Sequence, residues 1–163
     1  MTVYFLRHAS AGARRKDPER DRRRGLDRDG IEQATHMGRV LAALESHLDA
    51  ILASPYKRAA QTAALVANEM GFEGKLQTEV ALAPGAALAD FHALLARNRH
   101  HDAILVVGHN PTLSLFLGDC IGVPGAAARV ELRKGGLAKV SMERHGGTLH
   151  WLLTPKTVRS VES

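Results

Sequence analysis

Two apolar runs each end on a histidine, and this pairing constrains the fold more than any other feature of the chain. Val3-Tyr4-Phe5-Leu6 runs into Arg7-His8-Ala9-Ser10, and Ala103-Ile104-Leu105-Val106-Val107 runs into Gly108-His109-Asn110-Pro111. Short apolar runs bounded by turn residues read as strands buried on both faces, and these belong in a mostly parallel sheet. A third such run, Ala50-Ile51-Leu52-Ala53, is followed by Ser54-Pro55 and a helix that carries Arg58 about one turn in. Strands that each deliver a polar residue at their C-terminal end build one site along one edge of an α/β sheet.

The residue types define the chemistry such a site can hold. A guanidinium grips an anion with a planar fork of donors, and a neutral imidazole can act as base or nucleophile. Arg7, His8, Arg58 and His109 are therefore the candidate set for such a site, and Arg7 and Arg58 fit a clamp on an anion. His8 is the candidate nucleophile, its second ring nitrogen expected to donate to a nearby backbone carbonyl.

The set Leu6-Arg7-His8-Ala9, Ser54-Pro55-x-x-Arg58-Ala59-x-Gln61-Thr62 and Gly108-His109 resembles the histidine phosphatase superfamily, the phosphoglycerate-mutase-like fold. Within it, the short chain and the Gly108-His109-Asn110-Pro111 wording are most similar to the SixA-type phosphohistidine phosphatases. The likeness runs from Val3 to about Leu153. It implies a three-layer α/β/α sandwich with a mixed, mostly parallel central sheet, as one domain over residues 1–154. It also implies a catalytic set of Arg7, His8, Arg58 and His109, with His109 joining Arg7 and Arg58 in binding the phosphate. The implied enzyme is a metal-free, cofactor-free phosphatase with a phospho-His8 intermediate, acting on a phosphohistidine-bearing protein and releasing inorganic phosphate. The family usually has glycine where this chain has Ala9. Ser10 and Arg24 are possible additional site residues, Arg24 because an arginine precedes the corresponding turn at Leu26.

One expected part is missing. Superfamily members that cleave phosphate esters commonly place a carboxylic acid just after the third strand. Here that stretch reads Leu82-Ala83-Pro84-Gly85-Ala86, with Glu79 before it and Asp90 after. An alkoxide, whose conjugate acid has a pKa near that of water at about 15.7, needs a proton to leave. An imidazole, of pKa about 6.5, does not. The composition therefore favours cleavage of an N–P bond. Only some twenty residues lie between the third strand and the Gly108-His109 strand, too few for a cover over the pocket, so an open site is expected. The alternative within the fold is a phosphatase of small phosphomonoesters, with Glu79 or Asp90 as acid.

The net charge of +5 is concentrated: residues 14–28 hold eight basic and four acidic residues. This stretch, from Gly12 to Gly25 without apolar periodicity, reads as a surface loop or irregular helix that attracts an acidic partner. A remote alternative is a basic nucleic-acid-binding protein, but aromatics are 4% of the chain and none lies in that loop. The expected partners thus exclude nucleic acid and membranes: no apolar run approaches the ~20 residues of a membrane span. A single cysteine, Cys120, excludes an internal disulfide framework, and with no signal-peptide pattern at the N-terminus the expected location is cytoplasmic.

The remaining expectations are structural. Asp27 or Asp29 caps a helix with a buried stripe of Ile31, Ala34, Met37, Val40, Leu41 and Leu44. Lys75–Leu82 reads as a weak strand, and Leu88–Ala96 as a helix with Phe91, Leu94 and Leu95 inward. Val130–Arg133, Leu137–Glu143 and Thr148–Leu153 read as antiparallel strands, and residues 155–163 as a frayed tail.

Overall fold

The computed structural model describes residues 1–45, 47–123 and 127–162. Its centre is β1 (Thr2–Arg7), whose alternate residues supply both faces of the core: Val3 and Phe5 to one, Tyr4 and Leu6 to the other. β1 lies between β4 (Ala103–Gly108), parallel to it, and β5 (Leu137–Glu143), antiparallel. With β2 (Ala50–Ala53), β3 (Gln77–Thr78) and β6 (Gly146–Leu153), the sheet has the order β3-β2-β4-β1-β5-β6. The four strands from β3 to β1 are parallel, and the sheet is mixed, as expected.

Helices cover both faces. One apolar cluster joins Tyr4, Leu6, Ile51 and Leu105 to Met37 and Leu41 of α2 (Arg28–Leu44) and to Ala59, Ala63 and Val66 of α3 (Lys57–Glu69). The other joins Val3, Phe5, Leu52 and Val106 to Phe91 and Leu94 of α4 (Leu88–Arg97) and to Leu113, Phe116 and Leu117 of α5 (Thr112–Ile121). Phe91 stacks on Phe116 at 4.4 Å between ring centroids and tilts against Phe5 at 5.8 Å, so three elements meet on one aromatic cluster. Full burial of each such side chain is worth about 1.5–3 kcal/mol, which makes these clusters the chief hold on the sheet.

Several local expectations are corrected. The buried stripe of α2 is Gly30, Ala34, Met37, Gly38 and Leu41, whereas Ile31 and Leu44 are about half exposed, at 49% and 51%. The small residues win because α2 packs closely: a Cβ on Gly30 would lie 1.9 Å from Ser10 O. Asp27, not Asp29, caps the helix, accepting the Gly30 N–H at 2.7 Å. β3 keeps only Gln77–Thr78, and Val80–Leu82 turns into a 3₁₀ segment that buries Leu82. Val130–Arg133 forms no strand, since β5 has β1 and β6 on its two edges. Residues 155–162 form α6 (Pro155–Glu162), whose Val158 packs on the α2–α3 face, where a frayed tail was expected. Within the expected loop after Gly12, Asp17 caps the short α1 (Pro18–Arg22).

Candidate active site

The parallel register places the site. Arg7 pairs with Gly108 and Ala53 with Val107, so His8, His109 and Ser54 leave three adjacent strands side by side. The rings of His8 and His109 lie 5.0 Å apart between centroids. Arg7, His8, Arg24, Arg58 and His109 all line one open cavity of about 830 Å³ at the C-terminal ends of the parallel strands. This is where ligands bind in open α/β sheets.

His8 is held from two sides. Its N–H donates to Gly108 O at 3.0 Å, and its Nδ1 lies 2.7 Å from Ala9 O. A carbonyl oxygen only accepts, so Nδ1 carries the proton and Nε2 keeps its lone pair. Burial lowers the pKa of His8 to about 3, the bond to Ala9 O opposing and the charges of Arg58, Arg7 and Arg24 adding to the effect. The ring is therefore neutral at pH 7. Ala9, the departure from the family's glycine, is fully buried at 0% exposure, and no non-glycine residue among those described has a positive φ. The methyl group is accommodated without backbone strain.

The arginines are oriented by their surroundings. Arg58 Nη1 donates to Asp21 O at 2.9 Å, and its guanidinium lies 5.0 Å from the centroid of the Tyr56 ring. Arg7 Nη1 donates to Leu132 O at 3.1 Å. Nε of each arginine is buried without a hydrogen-bond partner. An unmet buried donor is costly, so donors in a cationic cavity mark a place for an anion. Arg24 spans the wall: Nε donates to Asp21 Oδ1 at 2.9 Å and Nη1 to Ala11 O at 2.7 Å.

The only carboxylate lining the cavity, among the described residues, is Asp21. Burial raises its pKa, but the Arg15 N–H, the Arg24 hydrogen bond and the charges of Arg24 and Arg58 outweigh this, and the net shift is downward. Asp21 is thus an ionised brace for two arginines. Glu79 is instead paired with Arg97 at 3.1 Å, and neither Glu79 nor Asp90 lines the cavity. Ser10 does not line it either. Its hydroxyl donates to Asp27 Oδ2 at 2.8 Å, and the same oxygen accepts the Gly12 N–H at 2.8 Å. Ser10 anchors the segment after β1 to the cap of α2.

Among the wall residues that escaped sequence reasoning are Asp21, Tyr56, Asn110 and Lys134, and Arg14, Arg15 and Lys16 of the basic loop, expected to act only in encounter, line the cavity as well. Tyr56 and Asn110 lie inside the motifs and could have been found there. Asp21 and Lys134 reach the cavity only because their loops fold across it, and nothing local marks them.

Two histidines, five arginines and two lysines line one strand-end cavity, a site suited to an anionic group. The sequence matches the model of the histidine phosphatase superfamily (branch 1) over residues 3–83, and the chain belongs to this superfamily. An uncharacterised protein of Picosynechococcus sp. is 36% identical over 145 residues, 84% of this chain and 82% of its own length. The phosphohistidine phosphatase SixA of Escherichia coli is 22% identical over 166 residues, 100% of this chain and 99% of its own length. In structure, the chain superposes on the protein histidine phosphatase SixA complexed with tungstate with a TM-score of 0.86 at 23% identity. That superposition covers 97% of this chain and 99% of the other.

Proposed function

We propose that the protein is a phosphohistidine phosphatase acting on a phosphorylated histidine of a protein partner. The observation that carries the reading is the state of Asp21: the one carboxylate in the cavity is bound by Arg15 N and Arg24 Nε and held ionised. Without a proton donor, an alkoxide leaves poorly while an imidazole leaves readily. The openness of the cavity, with no segment folded over it from the stretch between β3 and β4, suits a side chain presented on another protein's surface.

In the first step, His8 Nε2 attacks phosphorus, an N–P bond forms, and the substrate's N–P bond breaks. The substrate ring, protonated on its other nitrogen, departs neutral. His8 becomes cationic, and its Nδ1–H is already seated on Ala9 O. In the second step, water attacks phosphorus, the His8 N–P bond breaks, and one water proton passes to solvent as phosphate leaves. Arg7, Arg58 and His109 hold the phosphoryl oxygens throughout, donors fixed in place before charge develops. The proposed route calls on no metal or cofactor. Among the described residues, no group of three or more His, Cys, Asp or Glu side chains could hold a metal ion, and no helix is long and apolar enough to cross a membrane.

The test is phosphate release from a panel of phosphohistidine proteins, set beside sugar phosphates as ester substrates. Release from one or more of the proteins with slow ester turnover supports the reading. The reverse pattern assigns the site to small phosphoesters. Nucleic-acid binding that survives loss of His8 and weakens steeply with salt would point instead to the basic loop as a nucleic-acid surface.

A further inference from the structure

Ser54 is 1% exposed at the end of β2, and its hydroxyl has two neighbours in hydrogen-bond reach. The Tyr56 N–H donates to Ser54 Oγ at 3.2 Å, and His109 Nε2 lies 2.7 Å from the same oxygen. A hydroxyl has one proton to give, and a backbone N–H cannot receive it. Among the described residues, His109 Nε2 is the only acceptor in contact with that proton. Donation of the Ser54 O–H to His109 Nε2 is the arrangement that satisfies this buried proton, and it leaves Nε2 with a lone pair. Burial, followed by the charges of His8, Arg58, Arg7 and Arg24, lowers the pKa of His109 to about 2, so its ring is neutral and has one proton. That proton must sit on Nδ1, which is buried and has no hydrogen-bond partner.

We propose that Ser54 is a positioning residue: it places the ring proton of His109 on Nδ1, so that His109 offers a neutral N–H donor to the phosphoryl group held beside His8. The inference rests on the reading of the cavity as a phosphoryl-transfer site. It explains how two neutral histidines 5.0 Å apart take opposite parts. On His8, Ala9 O accepts from Nδ1–H and leaves Nε2 as the lone pair. On His109, Ser54 O–H occupies Nε2 and leaves Nδ1 as the donor. The hydrogen bond made by one ring nitrogen determines the state of the other. The Tyr56 N–H matters too, because it occupies the Ser54 oxygen from the acceptor side and turns the hydroxyl proton toward the ring.

The experiment is nitrogen–proton correlation NMR of the histidine rings in the full chain, with and without inorganic phosphate. In the wild type, His109 should show a protonated Nδ1 and an unprotonated Nε2, and phosphate should shift the Nδ1–H signal. Ser54→Ala should shift His109 toward the Nε2-protonated form and leave the tautomer of His8 unchanged. Its kcat should fall by about tenfold or more, by analogy with other hydrogen bonds that orient a functional histidine. Ser54→Thr, which keeps a hydroxyl, should retain the wild-type tautomer and recover most of the rate. A protonated Nε2 in the wild type overturns the proposal, and so does a Ser54→Ala protein with unchanged tautomer and kcat. The wild-type spectrum decides the matter even where a variant does not fold. The assignment of the proton is read without turnover, so failure to find a substrate counts against the phosphatase reading and not against this one.

Discussion

Ala9 donates its backbone N–H to Thr62 Oγ1 at 3.1 Å, and the same hydroxyl donates to Arg58 O at 2.7 Å. One buried side chain on α3 thus ties the turn that carries His8 to the helical turn that carries Arg58. The candidate nucleophile and its anion clamp are built as a unit, although fifty residues separate them.

His8→Ala should abolish turnover while the fold persists, because on the proposed route Nε2 is the nucleophile, and the ring makes only a local bond to Ala9 O. Labelled substrate trapped in acid-free conditions should place the phosphoryl group on His8 of the wild type. Retention of a tenth of the activity in the variant would contradict the assignment.

Arg58→Lys keeps the charge but loses the fork that contacts Asp21 O and lies near the Tyr56 face. The expected loss is about 2–4 kcal/mol of transition-state stabilisation, as for removal of one preorganised donor. A steady-state comparison of kcat/KM measures it, and a near wild-type value would exclude Arg58 from the phosphoryl contacts.

Asp21→Asn tests the brace against an acid. The backbone carbonyl still receives Arg58 Nη1, while the ionised contacts with Arg24 at 2.9 Å and with Arg58 at 3.5 Å are lost. A hydrogen bond to a charged group is worth about 1.5–3 kcal/mol, so kcat/KM should drop within that limit. The shape of the pH–rate profile should stay the same, because Asp21 is already ionised at neutral pH. Loss of the alkaline limb would identify it as a general acid instead.

Stability should fall in acid through the two buried rings. Burial, before any other cause, lowers His8 and His109 from 6.5 to about 3 and about 2. The unfolded chain therefore binds protons at these sites below about pH 6.5 while the folded chain does not, and stability is lost as pH falls from there toward 3. Urea midpoints of His8→Asn and His109→Asn should decline less between pH 7 and pH 5 than those of the wild type. Equal declines would show that the rings are not held neutral.

The basic loop divides into two parts. Arg24 lines the cavity, as do Arg14, Arg15 and Lys16, so Arg24→Ala should slow even a small phosphoramidate. Arg22 and Arg23 are exposed and do not line it. Replacing both with alanine should lower kcat/KM for a phosphoprotein, mostly at low salt, and leave kcat unchanged, since surface charges act over about 8 Å at physiological ionic strength. A fall in kcat would place them nearer the chemistry than the structure does.

The sheet and the strand-end residues were legible because buried parallel strands carry unmistakable apolar runs, and each motif follows its strand directly. Arg7, His8, Arg58 and His109 could be grouped from that pattern alone. The elements read wrongly were those whose state depends on neighbours. Val130–Arg133 alternates like a strand but finds no free edge on its neighbour β5, and its Leu132 serves through a carbonyl that binds Arg7 and Asn110. Residues 155–162 carry few apolar side chains, and their helix rests on Val158 meeting a face built elsewhere.

The sequence by itself determined the strands, the histidines and arginines at their ends, the local charge and the lack of an acid after the third strand, since these follow from residue type and near-neighbour order. Tertiary structure decided which groups meet the ring nitrogens of each histidine, that Asp21 braces Arg24 and Arg58, and that Ser10 faces Asp27 instead of the cavity. The contacts of His8 with Ala9 and of Asp21 with Arg24 are local. Those of Arg58 with Asp21, His109 with Ser54 and Ser10 with Asp27 join residues far apart, whose geometry exists only once β1, β2 and β4 lie side by side and the α1 loop has closed against them.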